Sequence, residues 1–158
     1  MVNKQVAIIM GSKSDMPVME HTMELFKEFG VSYDVKVLSA HRTPKQTIKF
    51  ASTAAARGYE VIIAAAGGAA HLAGVIAAHT ILPVIGVPIE TKALEGIDSL
   101  FSTVQMPAGI PVGCMAIGKA GSINACVFAT EILAIKNKGL QKKLNAYKES
   151  LAAKVLKK

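Results

Sequence analysis

The chain has 158 residues, of which 51% are apolar, 18% charged and 5% aromatic, and its net charge is +7. That length fits one domain with a sizeable core, and the wealth of Ala, Val, Ile and Gly suits strands of a parallel sheet buried on both faces. The charge does not describe a nucleic-acid surface: residues 136–158 hold eight lysines against the single acid Glu149, while residues 1–135 hold ten basic and ten acidic residues. The excess lies on one terminal helix, where a solvated face is the plain reading and an acid- or RNA-binding tail the sharper one, with only Tyr147 as an aromatic.

In chain order, residues 1–5 are short and polar, so no secretory leader is expected. Val6–Met10 is a continuous apolar run and reads as a central strand. Gly11-Ser12-Lys13-Ser14-Asp15 breaks it, and Ser14, Asp15 and Pro17 are start signals for a helix that Gly30 ends. On that helix Val18, Met19, Thr22, Met23, Leu25, Phe26 and Phe29 share one face, opposite Glu20, His21, Glu24, Lys27 and Glu28. Tyr33–Leu38 is a second strand. Thr43-Pro44-Lys45-Gln46 has the spacing of a capping box and predicts a helix running to about Arg57, stopped by Gly58.

Val61–Ala65 is a third strand, followed by Gly67-Gly68-Ala69-Ala70-His71 and a helix over roughly Leu72–His79. The apolar stretch Val61–Ala70 is too short, and too interrupted by glycine, to span a bilayer. Pro83–Val87 is a fourth strand. Residues 88–111, with three prolines and scattered glycines, read as a long connection with one helical turn near Asp98–Ser102. Val112–Ile117 is a fifth strand, and Gly118-Lys119-Ala120-Gly121-Ser122 leads into a helix over about Ser122–Lys136. A lysine-rich helix at about 138–157 closes a single domain over residues 1–158. Alternating strands and helices predict an α/β protein, a three-layer α/β/α sandwich with a central parallel sheet and right-handed crossovers.

In such sheets ligands bind beyond the carboxyl ends of the strands. The segments expected there after strands one, two, three and five bring Ser12, Ser14, Asp15, Ser39, His41, Arg42, His71 and several glycines to one rim. Helix starts on that rim favour an anion. Arg42 offers a forked donor for phosphate, Asp15 an acceptor for sugar hydroxyls, and histidine is the side chain suited to proton transfer near neutrality. Ser14 and Asp15 also read as plain helix caps, Arg42 as a surface cation, and His71 as a polar residue of a tight turn. His21 on a polar face and His79 at a helix end are set aside as structural.

Gly113–Lys119 resembles a Walker loop, but Ala120 stands where a magnesium-binding hydroxyl belongs. No dinucleotide glycine pattern follows strand one and no zinc spacing is present, so neither a cofactor nor a metal is expected. Cys114 and Cys126 form no CxxC pair and no disulfide framework, which fits a reduced, cytoplasmic protein.

GSKSD at 11–15, SAHRTP at 39–44, GGAAHL at 67–72, DSLFSTVQMPAGIPV at 98–112 and AIGKAGSINA at 116–125 together resemble the class I PurE family over about residues 5–150. The resemblance implies a flavodoxin-like sandwich assembled as a homo-octamer with active sites at subunit interfaces. It implies conversion of N5-carboxyaminoimidazole ribonucleotide to 4-carboxyaminoimidazole ribonucleotide without ATP, metal or organic cofactor, and no nucleic-acid or membrane partner. By matching motifs, His41 and His71 are the expected catalytic pair. Ser12, Asp15, Ser39, Arg42, Gly68, Ala70 and Leu72 are the expected substrate-binding set. Ala69, Ala70 and Leu72 suit a closed apolar pocket for CO2. The chain departs from the family's pattern at Ala73, where proline is frequent, and at Val75 and Ala108. Two other readings stand beside this one. The first is a class II-type carboxylase acting on aminoimidazole ribonucleotide with free CO2. The second is a non-catalytic nucleotide-binding module on the same fold.

Overall fold

The structure, a computed structural model, describes residues 4–156. In chain order it comprises β1 (Val6–Met10), α1 (Met16–Phe29), β2 (Tyr33–Val37), α2 (Pro44–Ala54), β3 (Val61–Gly67), α3 (Leu72–Ala77), β4 (Val84–Ile89), α4 (Ile97–Val104), β5 (Gly113–Cys114), α5 (Gly118–Ala134) and α6 (Lys138–Leu156). The five strands form one sheet in the order β2-β1-β3-β4-β5, every pairing parallel. The expected three-layer, flavodoxin-like sandwich is the fold observed.

The apolar runs behave as their pattern requires. Every residue of β1 is buried, because alternate side chains serve two different cores. Val6, Ile8 and Met10 join Val61, Ile63 and Ala65 of β3 under Met19, Leu25 and Phe26 of α1 and Ala125, Cys126 and Ala129 of α5. Ala7 and Ile9 join Ile62 and Ala64 under Phe50, Ala51 and Ala54 of α2 and Leu72, Ala73 and Ile76 of α3. The Thr22 hydroxyl donates to the Ser122 carbonyl at 2.7 Å, which satisfies a fully buried polar group between α1 and α5.

The terminal helix does more than carry charge. Leu140 and Leu144 are buried against the first core, Tyr147 sits edge-on to Phe29, and the Lys143 ammonium donates to the Phe29 carbonyl at 2.7 Å. That contact places a cation on the last carbonyls of α1, the favourable end of the helix dipole. Its expected end at residue 157 lies outside the described residues.

Five local expectations need correction. The capping box is not at Thr43–Gln46: Thr43 makes no side-chain cap, and its hydroxyl instead accepts from the Ser39 amide at 2.8 Å and donates to the Ser39 carbonyl at 3.1 Å. A reciprocal cap forms at Ser12–Asp15. There the Asp15 Oδ2 accepts from the Ser12 amide at 3.0 Å and the Ser12 hydroxyl accepts from the Ser14 amide at 3.3 Å. β4 runs two residues beyond Val87, through Pro88. The proline is tolerated because β5 pairs only with Ile85 and Gly86, so β4 is an edge at that height.

β5 is correspondingly two residues long rather than six. The segment Gly118–Ser122 is the first turn of α5 and not a loop. Gly121 makes that early start possible, since a Cβ there would collide with the Ala116 carbonyl. The turn expected near Asp98–Ser102 is a full eight-residue helix, α4. Ala73 lies in the first turn of α3, where proline and alanine are both accommodated.

Candidate active site

Chain order steps from β1 out to β2 and back across to β3, so the sheet changes direction between β1 and β3. Ligand clefts in doubly wound sheets open at that place, beyond the carboxyl ends of the strands. Here it holds a cavity of about 480 Å³, open to solvent on one side. Ser12, Asp15, Ser39, His41, Arg42 and Leu72 of the expected set all line it. β1, β2 and β3 each deliver their following segment to this one rim.

Asp15 is 5% exposed and capped into the turn after β1. Burial pushes its carboxyl above the usual carboxylate range. The Ser12 amide, the Ser14 hydroxyl and the nearby Arg42 charge pull part of that shift back. Arg42 is oriented by the protein itself: one terminal nitrogen donates to the Gly11 carbonyl at 2.9 Å, and its backbone amide donates to the Ser39 hydroxyl at 3.2 Å. The guanidinium thus bridges the β1 and β2 segments across the cleft mouth, with the start of α2 just beyond it.

His41 Nε2 and His71 Nδ1 are 2.8 Å apart, and the rings meet edge-on with centroids 4.9 Å apart. That distance is a hydrogen bond, so a single proton lies between the two nitrogens and the tautomer of one ring dictates that of the other. His71 reaches His41 from the turn after β3. Gly68 there takes the left-handed conformation at φ +68°, and two short turns, Ala70 N–H to Gly68 carbonyl and His71 N–H to Ala69 carbonyl, both 2.8 Å, wind the chain to the histidine.

Gly68 and Ala70 stand behind the cavity wall rather than in it. The Gly68 amide donates to the Ser99 hydroxyl at 2.9 Å, and Ala70 is buried. Ala69 and Leu72 supply the apolar lining on that side. The Gly118–Ser122 segment after β5 contributes nothing to the lining among the described residues.

The end of β4 supplies residues that sequence reasoning passed over, namely Ile89, Glu90 and Thr91. The rule that found the other three segments would have found this one, had the strand not been ended before Pro88. Thr91 is itself held, its hydroxyl donating to Asp98 Oδ1 at 2.8 Å. Among the described residues no group of three His, Cys, Asp or Glu side chains is placed to hold a metal ion. None of the described helices is long and apolar enough to cross a membrane.

Fold and site together define a doubly wound α/β protein with a polar cleft beyond the carboxyl ends of its strands, lined by Asp15, His41 and Arg42. The sequence profile of the AIR carboxylase family matches residues 5–154, and the chain belongs to that family. It is 53% identical over 152 residues to N5-carboxyaminoimidazole ribonucleotide mutase of Escherichia coli K12, covering 96% of this chain and 90% of that one. It is 55% identical over 147 residues to the enzyme of the same name from Pyrococcus abyssi, covering 93% and 83%. Among solved structures, Treponema denticola PurE superposes with a TM-score of 0.87 at 27% identity, covering 97% of this chain and 94% of that one.

Proposed function

We propose that this chain is an N5-carboxyaminoimidazole ribonucleotide mutase, converting that compound to 4-carboxyaminoimidazole ribonucleotide. The observation that carries the reading is His41 in the same cleft as Arg42 and Asp15, hydrogen-bonded to His71, which does not itself line the cavity. Relatives of that name, more than half identical over nearly the whole chain, support it.

Arg42 and the start of α2 hold the 5′-phosphate, with the guanidinium already aimed by its donation to the Gly11 carbonyl and, more weakly, to the Ser39 hydroxyl. The Asp15 carboxylate and the Ser12 hydroxyl take polar groups of the ribose. His41 faces the imidazole ring. The N–C bond of the carbamate breaks, CO2 is released, and the exocyclic nitrogen takes a proton from His41. Carbon 4 then attacks CO2, forming the new C–C bond, and the proton that carbon 4 loses returns to His41. Substrate and product are isomers, so no proton is gained or lost overall. His71, 2.8 Å from His41, fixes its tautomer and gives the travelling proton a second nitrogen.

CO2 must stay in the site between the two bond changes, and Ala69 and Leu72 give it an apolar wall. The reading includes no organic cofactor, no metal and no nucleic-acid partner, and it places the protein in the cytoplasm. It also includes assembly into a homo-oligomer, an octamer, with a neighbouring copy over the open side of the cleft. In support, α4 leaves Ile97, Phe101 and Val104 exposed in a stripe at helical spacing, with Phe101 57% exposed.

Turnover tests the function directly. The purified protein, without ATP or metal, is given either N5-carboxyaminoimidazole ribonucleotide or aminoimidazole ribonucleotide with bicarbonate, and the 4-carboxy product is followed. Fast conversion of the first and slow conversion of the second is the expected result. Preference for the second would make it a carboxylase using free CO2, and product from neither would leave a binding module.

A further inference from the structure

The residue that joins the two halves of the cleft wall is not in the cleft. Ser99, in the first turn of α4, is fully buried. Its hydroxyl accepts from the Gly68 amide at 2.9 Å and donates to the Ile89 carbonyl at 2.6 Å. The donor belongs to the turn that carries His71. The acceptor is the last residue of β4, which lines the cavity. One helical turn on, the Ser102 hydroxyl donates to the Asp98 carbonyl at 2.7 Å and, more weakly, to the Gly68 carbonyl at 3.3 Å. Both backbone polar groups of Gly68 are therefore held by serines of the same helix.

This matters because the chain from Gly68 to His71 has little slack. Gly68 is left-handed, and each of the next two peptide steps is closed by a short hydrogen bond. A displacement of Gly68 is passed to the His71 ring, and the 2.8 Å contact to His41 is short enough to be lost by a movement of about 1 Å. We propose that Ser99 is a positioning residue: through its hydrogen bonds to Gly68 and Ile89 it places His71 against His41. Ser102 assists on the carbonyl side of the same glycine.

The test compares Ser99→Ala, Ser102→Ala and Thr103→Val with the wild type. Thr103 is the control, a buried hydroxyl of the same helix that donates only to the Ser99 backbone carbonyl, at 2.8 Å. Two readouts are taken on the full-length protein. The first is the ¹⁵N shifts and pH titration of the His41 and His71 rings, which report tautomer and pairing without any substrate. The second is kcat and KM with N5-carboxyaminoimidazole ribonucleotide, and this arm rests on the mutase reading.

Ser99→Ala should move the ring signals of both histidines and lower kcat on the order of 10²-fold with KM little changed, as a misplaced reacting group does. Ser102→Ala should give smaller changes of the same kind. Thr103→Val should leave both readouts at wild type. Ring signals unmoved in Ser99→Ala, or moved equally by Thr103→Val, would overturn the proposal. If Ser99→Ala does not fold, Ser102→Ala decides by the same two criteria. If the wild type itself shows no turnover, the mutase reading fails, and the ring signals alone judge Ser99.

Discussion

Asp15 and Asp34 sit at opposite ends of adjoining strands and have opposite fates. Asp15 lies past the carboxyl end of β1, almost wholly buried, with neutral donors from Ser12 and Ser14 as its nearest partners. Burial raises its carboxyl. Asp34 lies near the amino end of β2. There the Tyr59 hydroxyl donates to it at 2.8 Å, and the Lys4 and Lys36 ammonium groups stand at 3.1 and 3.2 Å. Burial is the largest single influence on Asp34 as well. The Tyr59 hydrogen bond and the two lysines together outweigh it and bring the carboxyl down to about 2. One end of the sheet keeps a buried carboxyl under-compensated at the wall of the cleft. The other end saturates its carboxylate and uses it to tie β2 to Tyr59 and Lys4.

The strongest break of this contrast is at the rim itself. His41→Asn should lower kcat by roughly 10²–10⁴-fold, the range for loss of a general acid–base group, while ligand binding and melting temperature stay near wild type. Steady-state kinetics and a ligand titration on the same preparation check it. Retention of wild-type turnover would remove His41 from the proton path.

Next in size, Arg42→Ala should cost on the order of 10²-fold in kcat/KM, because a charge-assisted fork to phosphate is lost. Most of that loss should appear in KM.

The two aspartates give a crossed pair of outcomes. Asp15→Asn should lower kcat/KM by on the order of 10-fold, the value of one hydrogen bond to a charged group, without lowering thermal stability at pH 7. Asp34→Asn should leave kcat/KM unchanged and lower stability by about 1 kcal/mol, read from denaturant unfolding. Equal losses of stability in both would erase the distinction between the two ends.

The smallest effect is in the pH dependence of unfolding. A carboxyl lowered from 3.8 to about 2 binds fewer protons folded than unfolded between those values. Its stabilisation is present above about pH 4 and is lost as pH falls towards 2. Asp15 has the reverse sign: its raised carboxyl makes stability fall as pH rises from 3.8 through its folded value. In Tyr59→Phe the folded carboxyl of Asp34 rises toward its ordinary value, so the acid-side loss should be smaller and should be complete at a higher pH than in the wild type.

Much of this was legible along the chain. β1 read as VAIIM, bounded by Gly11, is the strand observed, and Gly30 and Gly58 end the segments they were expected to end. Those are local facts: continuous apolarity needs burial on both faces, and a left-handed residue stops a helix. The parallel α/β pattern then puts the segments after β1, β2 and β3 on one rim, so the sequence alone gathers Ser12, Asp15, Ser39, His41 and Arg42 there.

What the sequence left open depended on neighbours distant along the chain. Pro88 reads as a strand breaker until β5 proves too short to need its missing N–H, and with that Ile89, Glu90 and Thr91 enter the cleft. Thr43 has the spacing of a cap, yet Ser39 claims its hydroxyl from four residues upstream. Ser99 has no motif to mark it, and its partners Gly68 and Ile89 lie 31 and 10 residues away. By itself the sequence determined which strands form, where α1 and the segment after α2 stop and that the polar groups following β1 and β2 reach the rim, because burial pattern and backbone preference act locally. Only the tertiary structure decided which hydroxyl holds which loop and that His71 meets His41 at 2.8 Å, because those choices belong to groups brought together by the packing of α2, α3 and α4 on the sheet.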